Sequence, residues 1–230
     1  MPPEIRAVIL DMDGLMLDTE PLYKLAWQAA AAEVGCPIDD RSYARLVGRP
    51  TEDCEQELVA QFGLAFPLDR FRARWPGLWQ AEVAASGIQR KPGLSGLLAF
   101  LDAQGVPVAV ATSSDTEYAT FSLRHAGLEG RFRVLVTGDE VARGKPAPDI
   151  YLEAARRLRV AAAACIALED SEAGILAANR AGMRALLIPD RSRPSEAAVQ
   201  AAFRVLGSLR EAHDLVAELV MDSGSRKSTG

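Results

Sequence analysis

Short apolar runs recur along this chain, and each stops at a polar or acidic residue. Ala7-Val8-Ile9-Leu10 leads into Asp11, Val108-Ala109-Val110-Ala111 into Thr112, and Ile166-Ala167-Leu168 into Glu169. Runs of this length without polar alternation predict buried strands. Strands are predicted near 5–11, 106–112, 133–137, 164–168 and 184–188, with a weaker one near 203–206. Amphipathic stretches at 94–104, 116–126, 149–158 and 172–181 predict helices between them. Such alternation predicts an α/β fold, a parallel sheet with helices on both faces. The first two strands break the rhythm. Between them, helical patterns at 21–34, 51–62 and 69–85 are punctuated by Gly35, Pro37, Gly48, Pro50, Gly63 and Pro67. A helical domain inserted at 16–90 is therefore expected, joined near 15–19 and 86–92 to a core made of 1–15 and 91–221. The Ser- and Gly-rich tail 222–230 is expected to be disordered.

The end of the first run carries the densest chemistry. Asp11 and Asp13 stand one residue apart, and Gly14 follows them. Strand geometry sends side chains at i and i+2 to the same side, and ligands of open α/β sheets bind outside the carboxyl ends of strands. Like charges this close repel unless a cation or a proton lies between them. The residues alone allow a metal site, an acid/base pair or a nucleophile beside a proton donor, and equally an ordinary Asx-rich turn. A second acidic pair, Glu169 and Asp170, follows the run at 166–168, where Ser171 and the acids would also suit a helix N-terminus. A hydroxyl, Thr112, ends the second run, with Ser113 and Ser114 after it, and Lys145 precedes Pro146.

Taken in order, these four elements resemble the motifs of the haloacid dehalogenase superfamily of phosphohydrolases. The nearest likeness is to the β-phosphoglucomutase-like phosphatases, whose motifs read DMDGLLLDTE, GKPxPDIY and LEDSxxG. The likeness spans residues from about 5 to 190. It implies a Rossmann-like core with a small helical cap at 16–90. It also implies a magnesium-dependent phosphatase that passes through an aspartyl-phosphate on Asp11. Asp13 would be general acid and base and would offer its carbonyl to the metal. Asp170 would bind Mg²⁺ directly, and Glu169 directly or through water. Thr112 and Lys145 would hold the transferring phosphoryl group, with Ser113, Ser114 and the cap residue Arg49 as substrate contacts. Asp18 and Thr19 look like the family's hinge.

A sugar-phosphate mutase of the same group is the second reading, and three positions speak against it. Thr51 stands where the mutases carry a cap Arg, Tyr23 where they carry a His, and Asp115 where they carry a phosphate-binding Lys. An acid at 115 would repel a second phosphate.

Composition narrows the remaining choices. A chain of 230 residues with 49% hydrophobic content can fill a sizeable core. The net charge of −5 gives no basic footprint for nucleic acid. Cys36, Cys54 and Cys165 stand far apart without a CxxC, which fits a reducing cytoplasm and small buried apolar roles. No apolar run is long enough to cross a membrane. A monomer acting on a small-molecule phosphate ester is expected. His125 and His213 lie in helical patterns without motif context and are expected to be structural or exposed.

Overall fold

A computed structural model describes residues 4–47, 51–63, 65–191 and 193–225. Six strands follow the apolar runs: β1 (Ala7–Leu10), β2 (Val108–Ala111), β3 (Val134–Val136), β4 (Cys165–Glu169), β5 (Arg184–Leu187) and β6 (Arg204–Val205). They form one sheet in the order β3-β2-β1-β4-β5-β6, and every pairing is parallel. Parallel neighbours require a crossover, and helices supply it. These are α5 (Leu94–Ala103), α6 (Thr116–His125), α7 (Asp149–Leu158), α8 (Glu172–Arg180) and α9 (Glu196–Ala201), while α10 (Leu209–Ser225) follows the last strand.

The strands are apolar throughout because both of their sides are buried. Ala7, Ile9, Ala109, Ala111, Cys165 and Ala167 pack on one side with Ile150, Tyr151 and Ala154 of α7 and Ile175 and Ala178 of α8. Their alternates Val8, Leu10, Val110, Ile166 and Leu168 point the other way and are equally inaccessible. The parity that buries Cys165 and Ala167 against α7 and α8 continues to Glu169. Local chemistry fixes several helix starts. The carboxylate of Asp115 accepts from Tyr118 N at 2.8 Å, and Ser171 Oγ accepts from Gly174 N at 3.1 Å.

The chain divides into two compact units: residues 1–18 with 89–230, and residues 19–88. The second unit contains α1 (Glu20–Glu33), α2 (Asp40–Tyr43), α3 (Thr51–Phe62) and α4 (Leu68–Ser86). It has a core of its own around Trp27, Ala30, Tyr43, Leu58, Phe66 and Phe71, with Trp27 edge-on to Phe71 at 5.0 Å. Both chain connections to it begin in the sheet-bearing unit as a paired ribbon. Asp18 N donates to Gln89 O at 2.9 Å and Lys91 N to Met16 O at 2.8 Å. Lys91 Nζ bonds Asp18 at 3.2 Å and Asp190 at 2.5 Å. Thr19 occupies the N-cap of α1 without a side-chain cap bond.

Two expectations need correction. Residues 222–225 are not a loose tail but continue α10, because each residue added to an anchored helix gains a backbone bond. Leu209, Ala212 and Val216 supply that anchor, and 226–230 lie outside the described residues. Cys36 is half-buried rather than buried, at the turn after α1, whereas Cys54 and Cys165 are enclosed.

Candidate active site

The central strand β1 lies between β2 and β4, so the chain leaves it in both directions across the sheet. Such a reversal opens a crevice at the carboxyl ends of the strands. Asp11 sits there, its amide donating to Leu168 O at 3.0 Å and thereby extending the β1–β4 ladder by one bond. Gly14 then turns the chain with φ of +82°, a conformation that favours glycine. An added Cβ at Gly14 would also overlap the carboxylate of Asp170, so both backbone angle and space demand glycine.

Lys145 joins the strand ends. Its Nζ lies 2.5 Å from Asp11 Oδ1, 2.5 Å from Glu169 Oε1 and 3.1 Å from Ala111 O, with the side chain only 3% exposed. Glu169 is fully buried and accepts from five donors. Lys145 and the Tyr151 hydroxyl (2.6 Å) reach Oε1, while Asp170 N, Ser171 N and Ser171 Oγ reach Oε2. Gly174 faces the same carboxylate, and a Cβ there would overlap it. Glu169 thus ties β4 to Lys145 and to the start of α8.

Asp11, Glu169 and Asp170 each present an oxygen within 4.8 Å of the others, a group that could hold a metal ion. Burial, then the charge of Glu169, raises Asp11 to about 8 against the pull of Lys145. Burial, then Asp11 and Glu169, raises Asp170 to about 9. Ionised together, the three carboxylates would carry more negative charge than Lys145 alone can balance, and their oxygens are hard donors of the kind divalent cations take.

Asp13 lies half-buried and turns toward the loop after β2. Ser114 Oγ donates to its Oδ2 at 3.0 Å and Tyr118 Oη to its Oδ1 at 2.9 Å. Thr112 is buried, and its Oγ1 accepts from Ser114 N at 3.1 Å. Ser113 is exposed, and Gly138 packs against its carbonyl so closely that no Cβ would fit. Asp11, Asp13, Thr112, Ser114, Lys145, Glu169 and Asp170 are thus linked by direct bonds or shared proximity. Arg49 lies outside the described residues. Tyr118, Tyr151, Gly138 and Gly174 were not singled out from the sequence. Tyr151 and Gly174 nevertheless fall within the GKPxPDIY and LEDSxxG patterns.

The haloacid dehalogenase-like hydrolase model matches residues 5–182. This chain belongs to that family of hydrolases. A phosphorylated carbohydrates phosphatase of Thermotoga maritima is 35% identical over 78% of the hydrolase and 82% of its own length. A bifunctional riboflavin kinase/FMN phosphatase of Arabidopsis thaliana is 32% identical over 79% of it. The match takes in only 48% of that longer protein, about half its length. A solved Thermotoga maritima structure, provisionally described as a β-phosphoglucomutase, superposes with a TM-score of 0.81 at 30% identity, covering 93% of this chain and 99% of the other. With relatives named as phosphatases, the hydrolase is an enzyme of the phosphoric monoester class.

Proposed function

We propose that this hydrolase removes phosphate from a small phosphorylated metabolite in two steps, with Asp11 as nucleophile and Mg²⁺ as cofactor. The observation that carries the reading is the meeting of Asp11, Lys145, Glu169 and Asp170 at adjoining strand ends, beside the hydroxyl loop that follows β2. In the first step Asp11 attacks phosphorus, the bond to the leaving oxygen breaks, and Asp13 gives that oxygen its proton. In the second, Asp13 takes a proton from water, which attacks phosphorus and restores the Asp11 carboxylate. Splitting one displacement into two lowers each barrier, and proton transfer by Asp13 suits leaving groups that are poor as anions.

Lys145 keeps the Asp11 oxygen aimed through its short bond and adds positive charge where the phosphoryl group develops negative charge. Thr112 orders the loop through Ser114 N, and Ser113 and Ser114 offer donors to phosphoryl oxygens. Asp11, Asp170 and the Asp13 carbonyl would hold the magnesium, with Glu169 supporting them from its buried network. Bound there, the cation would neutralise crowded carboxylates and phosphoryl charge. Residues 19–88 would act as a cap governing which esters enter. The relatives' names, spanning phosphorylated carbohydrates and a flavin nucleotide, support a small organic monoester as substrate. Asp115, engaged as the cap of α6 where a mutase would place a lysine, supports hydrolysis over phosphoryl return.

A panel of sugar, polyol and nucleoside monophosphates, assayed for released phosphate with magnesium or with chelator, tests this reading. Turnover of at least one small ester should require magnesium and vanish in Asp11→Asn with the fold retained. Undiminished turnover in excess chelator, or in that variant, would refute it.

A further inference from the structure

We propose that Tyr118 is a positioning residue that keeps the Asp13 carboxyl in place when Ser114 turns from it to the phosphoryl group. This rests on the reading of Asp13 as proton donor. Both Asp13 oxygens are held by hydroxyls from the segment after β2, Tyr118 on Oδ1 and Ser114 on Oδ2. The two donors are not equivalent. Ser114 belongs to the phosphoryl-binding loop, and its backbone is fixed, N–H to Thr112 Oγ1 and carbonyl to Gly138 N at 2.8 Å. Its short side chain needs only a turn about one torsion to exchange the Asp13 oxygen for a phosphoryl oxygen. Tyr118 is held differently. It sits in the first turn of α6, its N–H tied to the Asp115 carboxylate, and the next residue, Ala119, is fully buried.

A phenol reaches its partner through two torsions and a rigid ring, so its hydroxyl is well placed to anchor a carboxyl. When substrate claims the Ser114 hydroxyl, the Tyr118 bond is the remaining one of the pair, and it restricts rotation of Asp13. Proton donation depends on such alignment, since a misplacement of about 1 Å costs about 10²-fold.

The test compares kcat/KM for an alkyl phosphate and for 4-nitrophenyl phosphate in the wild type, Tyr118→Phe, Ser114→Ala and Asp13→Asn, all with saturating magnesium. The aryl leaving group departs without a proton, so only the alkyl ester reads the alignment of Asp13. Tyr118→Phe should lose about 10- to 100-fold on the alkyl ester and about twofold or less on the aryl ester, with the half-activating magnesium concentration unchanged. Ser114→Ala should instead weaken inhibition by inorganic phosphate and lower both esters alike. Equal losses on the two esters in Tyr118→Phe, or none, would overturn the proposal while Asp13→Asn keeps its selective loss. A selective alkyl loss in Ser114→Ala would overturn the division of labour, even if Tyr118→Phe failed to fold. If Asp13→Asn itself shows no selectivity, the proton-donor reading fails and takes this proposal with it.

Discussion

Lys145→Met removes the cation buried among the carboxylates and keeps most of the side-chain volume. Lys145 lies 2.5 Å from both Asp11 and Glu169, with 3% of its side chain accessible, so water cannot replace it. Removing one partner of a buried pair costs about 3–5 kcal/mol. For a chain of this size, about 2–4 °C of melting temperature accompanies each kcal/mol, which gives a fall of about 6–20 °C in metal-free protein. The loss should also depend on pH in a definite direction. Asp11 and Asp170 are raised to about 8 and about 9, chiefly by burial, and Lys145 opposes the rise in both. A carboxyl raised by folding contributes stability that is full below its unfolded value, near 4, and is lost as pH climbs through its raised value. Without Lys145 both groups move further up, so the penalty for ionising them grows. The deficit should be smaller at pH 6, where Glu169 still loses its partner, and larger at pH 9. Magnesium should narrow the gap at pH 9. Thermal unfolding of both proteins at the two pH values, in chelator and then in magnesium, measures all of this. A deficit equal at pH 6 and pH 9, or no destabilisation at all, would refute the charge argument.

Gly174→Ala should destabilise by about 2–4 kcal/mol, because Glu169 cannot keep its five bonds beside a Cβ. Helix propensity alone would make the same change favourable by about 1 kcal/mol, so denaturant unfolding separates the two by sign. Gly14→Ala should raise the magnesium concentration for half-maximal activity by about 10-fold or more, since the added carbon overlaps Asp170 and the backbone φ is +82°. A magnesium titration with an aryl phosphate would show it, and an unchanged midpoint would count against Asp170 as a ligand.

The sheet was readable because its strands are short apolar runs that stop at Asp11, Thr112 and Glu169, and burial on both faces leaves no other way to write them. The helical insert was readable as an absence of such runs. A capping residue marked one boundary: Ser171 lies where a side-chain oxygen must meet free N–H groups, whereas the cap that Asp115 supplies to α6 emerged only from the structure. What stayed hidden is chemistry made between distant segments. Tyr118 reaches Asp13 across about a hundred residues of chain, and nothing around Tyr118 marks its hydroxyl as spoken for. Gly174 sits in a helix, where glycine looks merely costly until the carboxylate beside it is seen. The end of α10 was hidden for another reason: Asp222-Ser223-Gly224-Ser225 reads as tail by propensity, and only the packed turns before it carry the helix onward.

The place of β1 in the sheet has a consequence for biosynthesis. Val8 pairs with Val108 on one side and with Ile166 on the other, about 100 and 160 residues downstream. At a ribosomal pace of about 5–20 residues per second, the strand waits about 5–20 s for its first neighbour and about half as long again for its second. The entire helical unit, with its separate aromatic core, emerges during that interval. The strand at the heart of the sheet is thus the first of the six made, yet two of its five fellow strands must precede its second neighbour. Its two unpaired edges and fully apolar faces make the nascent segment around β1 a natural client for a chaperone.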